Sequence, residues 1–208
     1  MVSRMSETAP GSQPNSVVTG TALPASQRAA LRKQLLRRRA EFVASPGFAD
    51  AERALAGHLR ALLHVLEPGC LGAYWAVRGE FNAAQALLTA PRWAGSLALP
   101  ASSRAPCEMH FRAWDGAPPT AADDWGIPTA AGRVVVPDVV LVPCVGHTRS
   151  GFRLGYGGGY FDRWLAAHPH VTAVGVAWAA CEIADADFGA EPHDVPLALV
   201  VTERGVLR

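Results

Sequence analysis

The segment Arg153-Leu154-Gly155-Tyr156-Gly157-Gly158-Gly159-Tyr160-Phe161-Asp162-Arg163-Trp164-Leu165 holds the densest chemistry of the chain. Its four closely spaced glycines let the backbone approach a ligand and take up positive φ. A turn of this kind feeding a helix aims N–H groups and a partial positive charge at an anion. Arg153 adds a forked cationic donor on the approach. The segment is neither a Walker A loop, lacking Gly-Lys-Ser/Thr, nor a GxGxxG turn in its proper place after a strand. Glycine content by itself describes a flexible turn equally well. Asp162 changes that balance, because a carboxylate just past a phosphate-cradling loop suits Mg²⁺, a hard ion that takes oxygen ligands. A single Asp there is otherwise a partner for the helix dipole. Asp194, in His193-Asp194-Val195-Pro196, offers a second carboxylate that converges on Asp162 if both face one crevice of an open sheet. His193 reads as a structural or solvent-facing group rather than a base.

These groups need a frame. Residues 27–42 have a helical pattern: at about 100° per residue Leu31, Leu35 and Phe42 share a stripe, with Arg28, Arg32 and Arg39 beside it. The arginines form either a solvated basic face or a set that reaches an anionic ligand over the core edge. Lys33 and Arg37 point elsewhere. A second helix is predicted over residues 48–66, from the spacing of Leu55, Leu59, Leu62, Leu63 and Leu66, and Pro68-Gly69 ends it. Cys70 to Val77 reads as a buried strand, Ala83 to Leu88 as a helix capped by Asn82, and residues 97–99 and 108–114 as strands. Residues 115–133, rich in Gly, Pro, Asp and Ala, read as loop. Val139 to Val142, Val171 to Trp178 and Leu197 to Val201 are apolar runs typical of strands covered on both faces. The alternation predicts a single α/β domain, a three-layer Rossmann-like open sheet, mostly parallel, with helices on both faces.

Composition narrows the class. The chain has 208 residues, half of them hydrophobic, and 19 basic against 18 acidic side chains leave a net charge of +1. That is length enough for one sizeable core and too little charge for a global field that would hold a polyanion. Eighteen of the basic residues are Arg, and Lys33 is the one Lys. No stretch reaches the roughly 18–20 apolar residues of a membrane span, and Met1 to Ser26 lacks the apolar centre of a secretory signal. That Ser/Thr/Pro/Gly-rich stretch, residues 1–26, is expected to be a disordered tail ahead of a domain over 27–208. Cys70, Cys107, Cys144 and Cys181 form no Cys-x-x-Cys pair, so reduced thiols in a cytoplasmic protein are expected, without structural zinc.

Leu141 to Leu165, LVPCVGHTRSGFRLGYGGGYFDRWL, closely resembles the signature of the 5-formyltetrahydrofolate cyclo-ligase family. The likeness extends in order through most of residues 27–203. Arg28-Ala29-Ala30-Leu31-Arg32 is similar to the family's ATP-contacting helix, usually Lys-x-x-Leu-Arg. Gly79-Glu80-Phe81 matches the segment whose Glu contacts folate. Trp125-Gly126-Ile127-Pro128 matches its "GIPEP"-like loop, and His193–Pro196 with Val201-Thr202-Glu203 its C-terminal motif. Three departures stand out. Arg28 replaces Lys, a planar fork in place of a point donor; Thr129-Ala130 replaces Glu-Pro; and His147-Thr148 sits where Phe-Asp is common.

The resemblance implies an α/β enzyme using ATP and Mg²⁺ to turn 5-formyltetrahydrofolate into 5,10-methenyltetrahydrofolate, ADP and phosphate. It implies ATP contacts from Arg28, Arg32, Arg153, Gly155, Tyr156, Gly157, Gly158, Gly159, Tyr160 and Phe161, with Arg153 and Tyr160 at the reacting groups. Folate contacts fall to Glu80, Trp125, Tyr156, Gly157, Gly158, Gly159 and Tyr160, and Mg²⁺ to Asp162 and Asp194. Trp125 serves either as a stacking wall for the flat pterin or as core packing. A monomer is expected, with a small-molecule substrate and with neither nucleic acid nor membrane as partner. The competing readings are a folate- or nucleotide-binding paralogue without turnover, which Thr129 favours, and a nucleic-acid module built on the Arg28–Arg39 helix.

Overall fold

The computed structural model describes residues 23–88 and 96–208. Residues 1–22, most of the expected tail, lie outside the described residues. The first helix, α1 (Ala25–Val43), starts two residues before the expected Gln27 and runs into the Ser45-Pro46-Gly47 turn. In α2 (Phe48–Leu66) the buried Leu55, Leu59 and Leu63 stand one turn apart on the face that meets the sheet. It closes on Glu67 in the left-handed conformation, whose N–H bonds Leu63 O, and Pro68 then bars continuation.

One eight-stranded sheet forms the middle layer, its strands lying in the order 205–207, 199–202, 172–176, 139–143, 71–72, 97–102, 109–114 and 134–135. Its parallel centre comprises β1 (Leu71–Gly72), β2 (Leu97–Ser102), β7 (Val139–Pro143), β10 (Thr172–Val176) and β11 (Leu199–Thr202). The antiparallel strands β3 (Met109–Trp114), β6 (Val134–Val135) and β12 (Gly205–Leu207) complete the edges. The two-residue period sends Val139 and Leu141 to the face covered by α2 and α3 (Ala83–Leu88). Val140 and Val142 go to the face covered by α4 (Tyr160–Ala167), through Trp164 and Leu165. Helices therefore lie on both faces of a mostly parallel sheet, as expected. A third cluster, Leu35, Val145, Leu154, Cys181, Ile183 and Phe188, anchors α1 beside the sheet. Phe188 belongs to α5 (Asp185–Phe188).

Two readings of the sequence need correction. The strand expected over 70–77 is only Leu71–Gly72, because the chain then leaves the ladder toward Glu80 after one further bond, Ala73 N–H to Ala98 O. The loop expected over 115–133 contains a small hairpin of β4 (Ala121–Ala122) and β5 (Pro128–Thr129). Asp123 pins that turn by accepting from the N–H groups of Trp125 and Ile127, both at 2.9 Å. A second hairpin, β8 (Gly146–His147) with β9 (Arg153–Leu154), carries the chain into the glycine segment. Among the described residues no helix is long and apolar enough to cross a membrane, and the four cysteines are unpaired.

Candidate active site

The glycine segment spans β9 and α4. Gly159 takes φ +64° at the helix N-cap, a left-handed conformation that costs a Cβ-bearing residue energy. Gly157, at φ +97°, lies over the Arg32 guanidinium, and a Cβ there would stand 3.3 Å from Nη2. Arg32 Nε donates to Gly155 O at 2.7 Å, so α1 holds the loop from beneath. From the other side, Arg163 Nη2 donates to Gly158 O at 2.9 Å and to Cys107 Sγ at 3.0 Å.

Two ion pairs flank the loop. Arg153 is buried; its Nη2 donates to Asp162 Oδ1 at 2.6 Å and its Nη1 to Val195 O at 2.7 Å. Val195 N–H returns a bond to Asp162 Oδ1 at 3.4 Å, so the structure ties Asp162 to the residue beside Asp194. Arg28 Nη2 meets Asp194 Oδ2 at 2.6 Å, its Nη1 reaches Asp194 Oδ1 at 3.4 Å, and its Nε lies 3.4 Å from Glu191 Oε1. Burial and the charge of Arg28 together lower Arg32 from its ordinary value. His193 is exposed, and its Nε2 lies 3.2 Å from the other oxygen of Glu191 and 4.0 Å from Asp194 Oδ1, on the outer side of the carboxylates that Arg28 meets.

Arg28, Arg32 and Arg39 all turn inward, whereas Arg37 pairs on the surface with Glu41. A solvated basic face is thereby excluded. Arg39 is 1% exposed. Its Nη1 donates to Tyr156 Oη at 3.0 Å and lies 3.7 Å from Glu80 Oε1, and Nη2 donates to Cys144 O. Tyr156 Oη in turn donates to Glu80 Oε1 at 2.9 Å, and Val77 N–H takes Oε2 at 2.9 Å. The chain thus brings Glu80, 76 residues away in sequence, onto the glycine loop. Its carboxyl is raised by burial, against which Val77 N–H, Arg39, Tyr156 and Arg78 act.

Tyr160 and Trp125 form the outer wall. Trp125 Nε1 donates to Tyr160 Oη at 2.8 Å, and Tyr160 Oη donates to Ser103 O at 3.0 Å. The rings meet edge to face at 6.2 Å. Trp125 is 52% exposed, so it is not core packing, and Arg104 lies 4.5 Å above its ring. Phe161, the last of the sequence-selected residues, packs against the cluster on the α4 face.

Sequence reasoning placed Arg39 on the right helix face, in the set read as solvated or reaching an anionic ligand, whereas it meets Tyr156 and Glu80; and it missed Arg163 and Arg104. For Arg163 a signal existed in its place one turn beyond Gly159. For Arg104, in an irregular loop, there was none.

Asp162 Oδ2 accepts no hydrogen bond among the described residues, whereas both oxygens of Asp194 are engaged. No three His, Cys, Asp or Glu side chains gather into a metal-binding group among the described residues. A hard cation here would take most of its oxygens from phosphates and water, with one or two carboxylates from the chain. The free oxygen of Asp162 fits that requirement.

Fold and site together define a three-layer α/β protein whose glycine-rich loop opens a short helix over inward-facing arginines. The sequence pattern of the 5-formyltetrahydrofolate cyclo-ligase family matches residues 24–203, and the chain belongs to that family. It is 42% identical over 71 residues to a 5-formyltetrahydrofolate cyclo-ligase of Mycolicibacterium smegmatis, covering 34% of this chain and 36% of that protein. To the 5-formyltetrahydrofolate cyclo-ligase of Mycoplasma pneumoniae it is 36% identical over 67 residues, 32% of this chain and 39% of that one. These alignments span little more than a third of either relative.

Solved structures of 5,10-methenyltetrahydrofolate synthetases share the fold. That from Mycoplasma pneumoniae has a TM-score of 0.65 at 22% identity, covering 85% of this chain and 98% of its own. That from Aquifex aeolicus has 0.69 at 24%, covering 87% and 92%.

Proposed function

We propose that this protein, as a monomer, converts 5-formyltetrahydrofolate and ATP into 5,10-methenyltetrahydrofolate, ADP and phosphate in the presence of Mg²⁺. The observation that carries this reading is the glycine loop, held over Arg32 and flanked by the Arg28–Asp194 and Arg153–Asp162 pairs, in a chain of this family. An N-formyl carbonyl is a poor electrophile and its oxygen a poor leaving group. The formyl oxygen attacks the γ-phosphorus of ATP; an O–P bond forms as the bond to the β-phosphate oxygen breaks, and ADP departs. N10 then attacks the formyl carbon, the C–O bond breaks, phosphate leaves, and N10 gives up its proton to complete the methenyl ring.

Such phosphoryl transfer depends chiefly on alignment and charge neutralisation. In this reading the N–H groups of Gly155 to Gly159 cradle the phosphates, with Tyr156 and Phe161 bordering them, and Arg28, Arg32 and Arg153 act as cationic clamps. Arg153 and Tyr160 border the reacting groups. Glu80 accepts from the pterin edge, and Trp125, Tyr156 and Tyr160 give the flat ring aromatic walls. Asp162 and Asp194 would hold Mg²⁺ bound with ATP, and the ion would neutralise phosphate charge.

Thr129, the departure that favours a paralogue without turnover, is buried with Oγ1 on Pro100 O at 2.8 Å, a bond within the fold rather than into the site. The inward turn of Arg28, Arg32 and Arg39, onto the 189–194 segment, the glycine loop and Tyr156, supports a small ligand over a nucleic acid. The test is to mix protein, ATP, Mg²⁺ and 5-formyltetrahydrofolate, following methenyl-folate absorbance and phosphate release. Both are expected to rise together. Folate or ATP binding with neither signal would establish the binding paralogue instead.

A further inference from the structure

We infer that Arg39 is a positioning residue for folate, holding Tyr156 and Glu80 so that Glu80 meets the pterin edge as a carboxylate; this rests on the functional reading above. A nearly fully buried arginine is unusual unless it is paired, and apolar side chains of similar volume pack such positions at no electrostatic cost. What Arg39 does that they cannot is set the direction of a hydrogen-bonded chain. Because Arg39 Nη1 donates to Tyr156 Oη, the tyrosine must spend its one proton elsewhere, and it does so on Glu80 Oε1. The order cation, hydroxyl, carboxylate links α1, the glycine loop and the segment after β1.

The groups facing Glu80 are Arg39 from α1, Tyr156 from the loop, Arg78 beside it, Tyr74 from the chain after β1 and Cys144 from the end of β7. Burial pushes the Glu80 carboxyl up, and Arg39 is among the groups that hold it down. A carboxylate accepts N–H donors through both oxygens, whereas a protonated carboxyl surrenders one to its own proton. Without Arg39 the carboxyl rises further, and folate binding fails progressively as pH falls through that higher value. ATP is gripped by Arg28, Arg32 and Arg153, none of which bonds Glu80 or Tyr156, and is untouched.

The experiment measures Kd and KM for 5-formyltetrahydrofolate, and KM for ATP, between about pH 6 and pH 9 in wild type, Arg39→Met, Arg39→Lys and Tyr156→Phe. For Arg39→Met the folate constants are expected to rise several-fold at the acid end, near pH 6, and to recover near pH 9, because the carboxyl has lost a group that holds it down. KM for ATP should not move, and Arg39→Lys should restore much of the loss. Tyr156→Phe leaves Arg39 in place but cuts the chain, so it should give the same pH-dependent weakening. In a Glu80→Gln background, which cannot titrate, Arg39→Met should add no pH dependence.

A pH-independent rise shared by folate and ATP would make Arg39 a packing residue and overturn the inference. If Arg39→Met does not fold, Tyr156→Phe with and without Glu80→Gln decides by the same criterion. Wild-type protein that binds folate but forms no methenyl product would overturn the catalytic reading alone, and the Kd values would still judge Arg39. Wild-type protein that does neither overturns both.

Discussion

Asp162 sits 2.6 Å from a guanidinium that is itself almost wholly buried, and this neighbour sets what its replacement costs. Sequence position alone assigns it about 0.3–1 kcal/mol through the helix dipole. With Arg153 left without its anionic partner, Asp162→Asn should cost more, about 1–3 kcal/mol, measurable by urea unfolding. Turnover should fall on the order of a hundredfold, because the variant also loses the charge a phosphate-bound dication needs. Asp194→Asn should act more weakly. Full activity of Asp162→Asn with an unchanged Mg²⁺ requirement would remove it from the site.

His147, also residue-scale, bears on stability instead. It is fully buried, neither ring nitrogen has a partner among the described residues, and burial lowers its pKa to about 4. The unfolded chain takes up this proton as pH falls through about 6.5, while the folded one resists until about 4. Stability present above about pH 6.5 is therefore lost on descent toward pH 4, by on the order of 3 kcal/mol at most. His147→Phe should raise Tm at pH 5 more than at pH 8. An equal shift at both pH values would refute the protonation account.

The element that matters most is the glycine turn between β9 and α4. Gly157→Ala forces a side chain into positive φ and against Arg32, so it should raise KM for ATP and also cost about 1 kcal/mol or more of stability, lowering Tm by a few degrees. Arg32→Ala should raise KM for ATP more than KM for folate. The two changes act on one contact, so the double variant should be less impaired than the product of the singles. If Arg32→Ala leaves ATP binding intact, its guanidinium does no more than hold the Gly155 carbonyl.

Across the whole molecule α1 works as a strap. Within one helix Arg28 binds the 189–194 segment, Arg32 the glycine loop, Leu35 the third core cluster, and Arg39 the Tyr156–Glu80 pair. Removing residues 1–22 should leave turnover and Tm unchanged, because among the described residues the contacts that fix this strap begin at Pro24. Trimming to Gln27 is a different matter. It removes the Pro24 carbonyl that accepts from Arg28 N–H at 3.0 Å, and so loosens the first turn that carries Arg28. A raised KM for ATP in the shorter truncate but not in the longer would locate the functional start of the chain.

The amino-acid sequence by itself determined the layers of this protein and the position of its loop. Apolar periodicity is a local property: residues four apart in α2, or two apart in β7, declare which face is dry whatever lies opposite. Glycine spacing before Phe161 and Trp164 likewise marks a close-approach turn at a helix start. Tertiary structure alone decided the partners of the charges. Arg28 meets Asp194 across 166 residues, Arg32 meets Gly155 across 123, and Arg39 meets Tyr156 across 117. No periodicity encodes such pairs, because they depend on which strand neighbours which and on where α1 crosses the sheet. The same holds for β1, cut to two residues as its chain turns toward Glu80, and for Asp162, whose choice between helix dipole, dication and buried arginine is set by what folds against it.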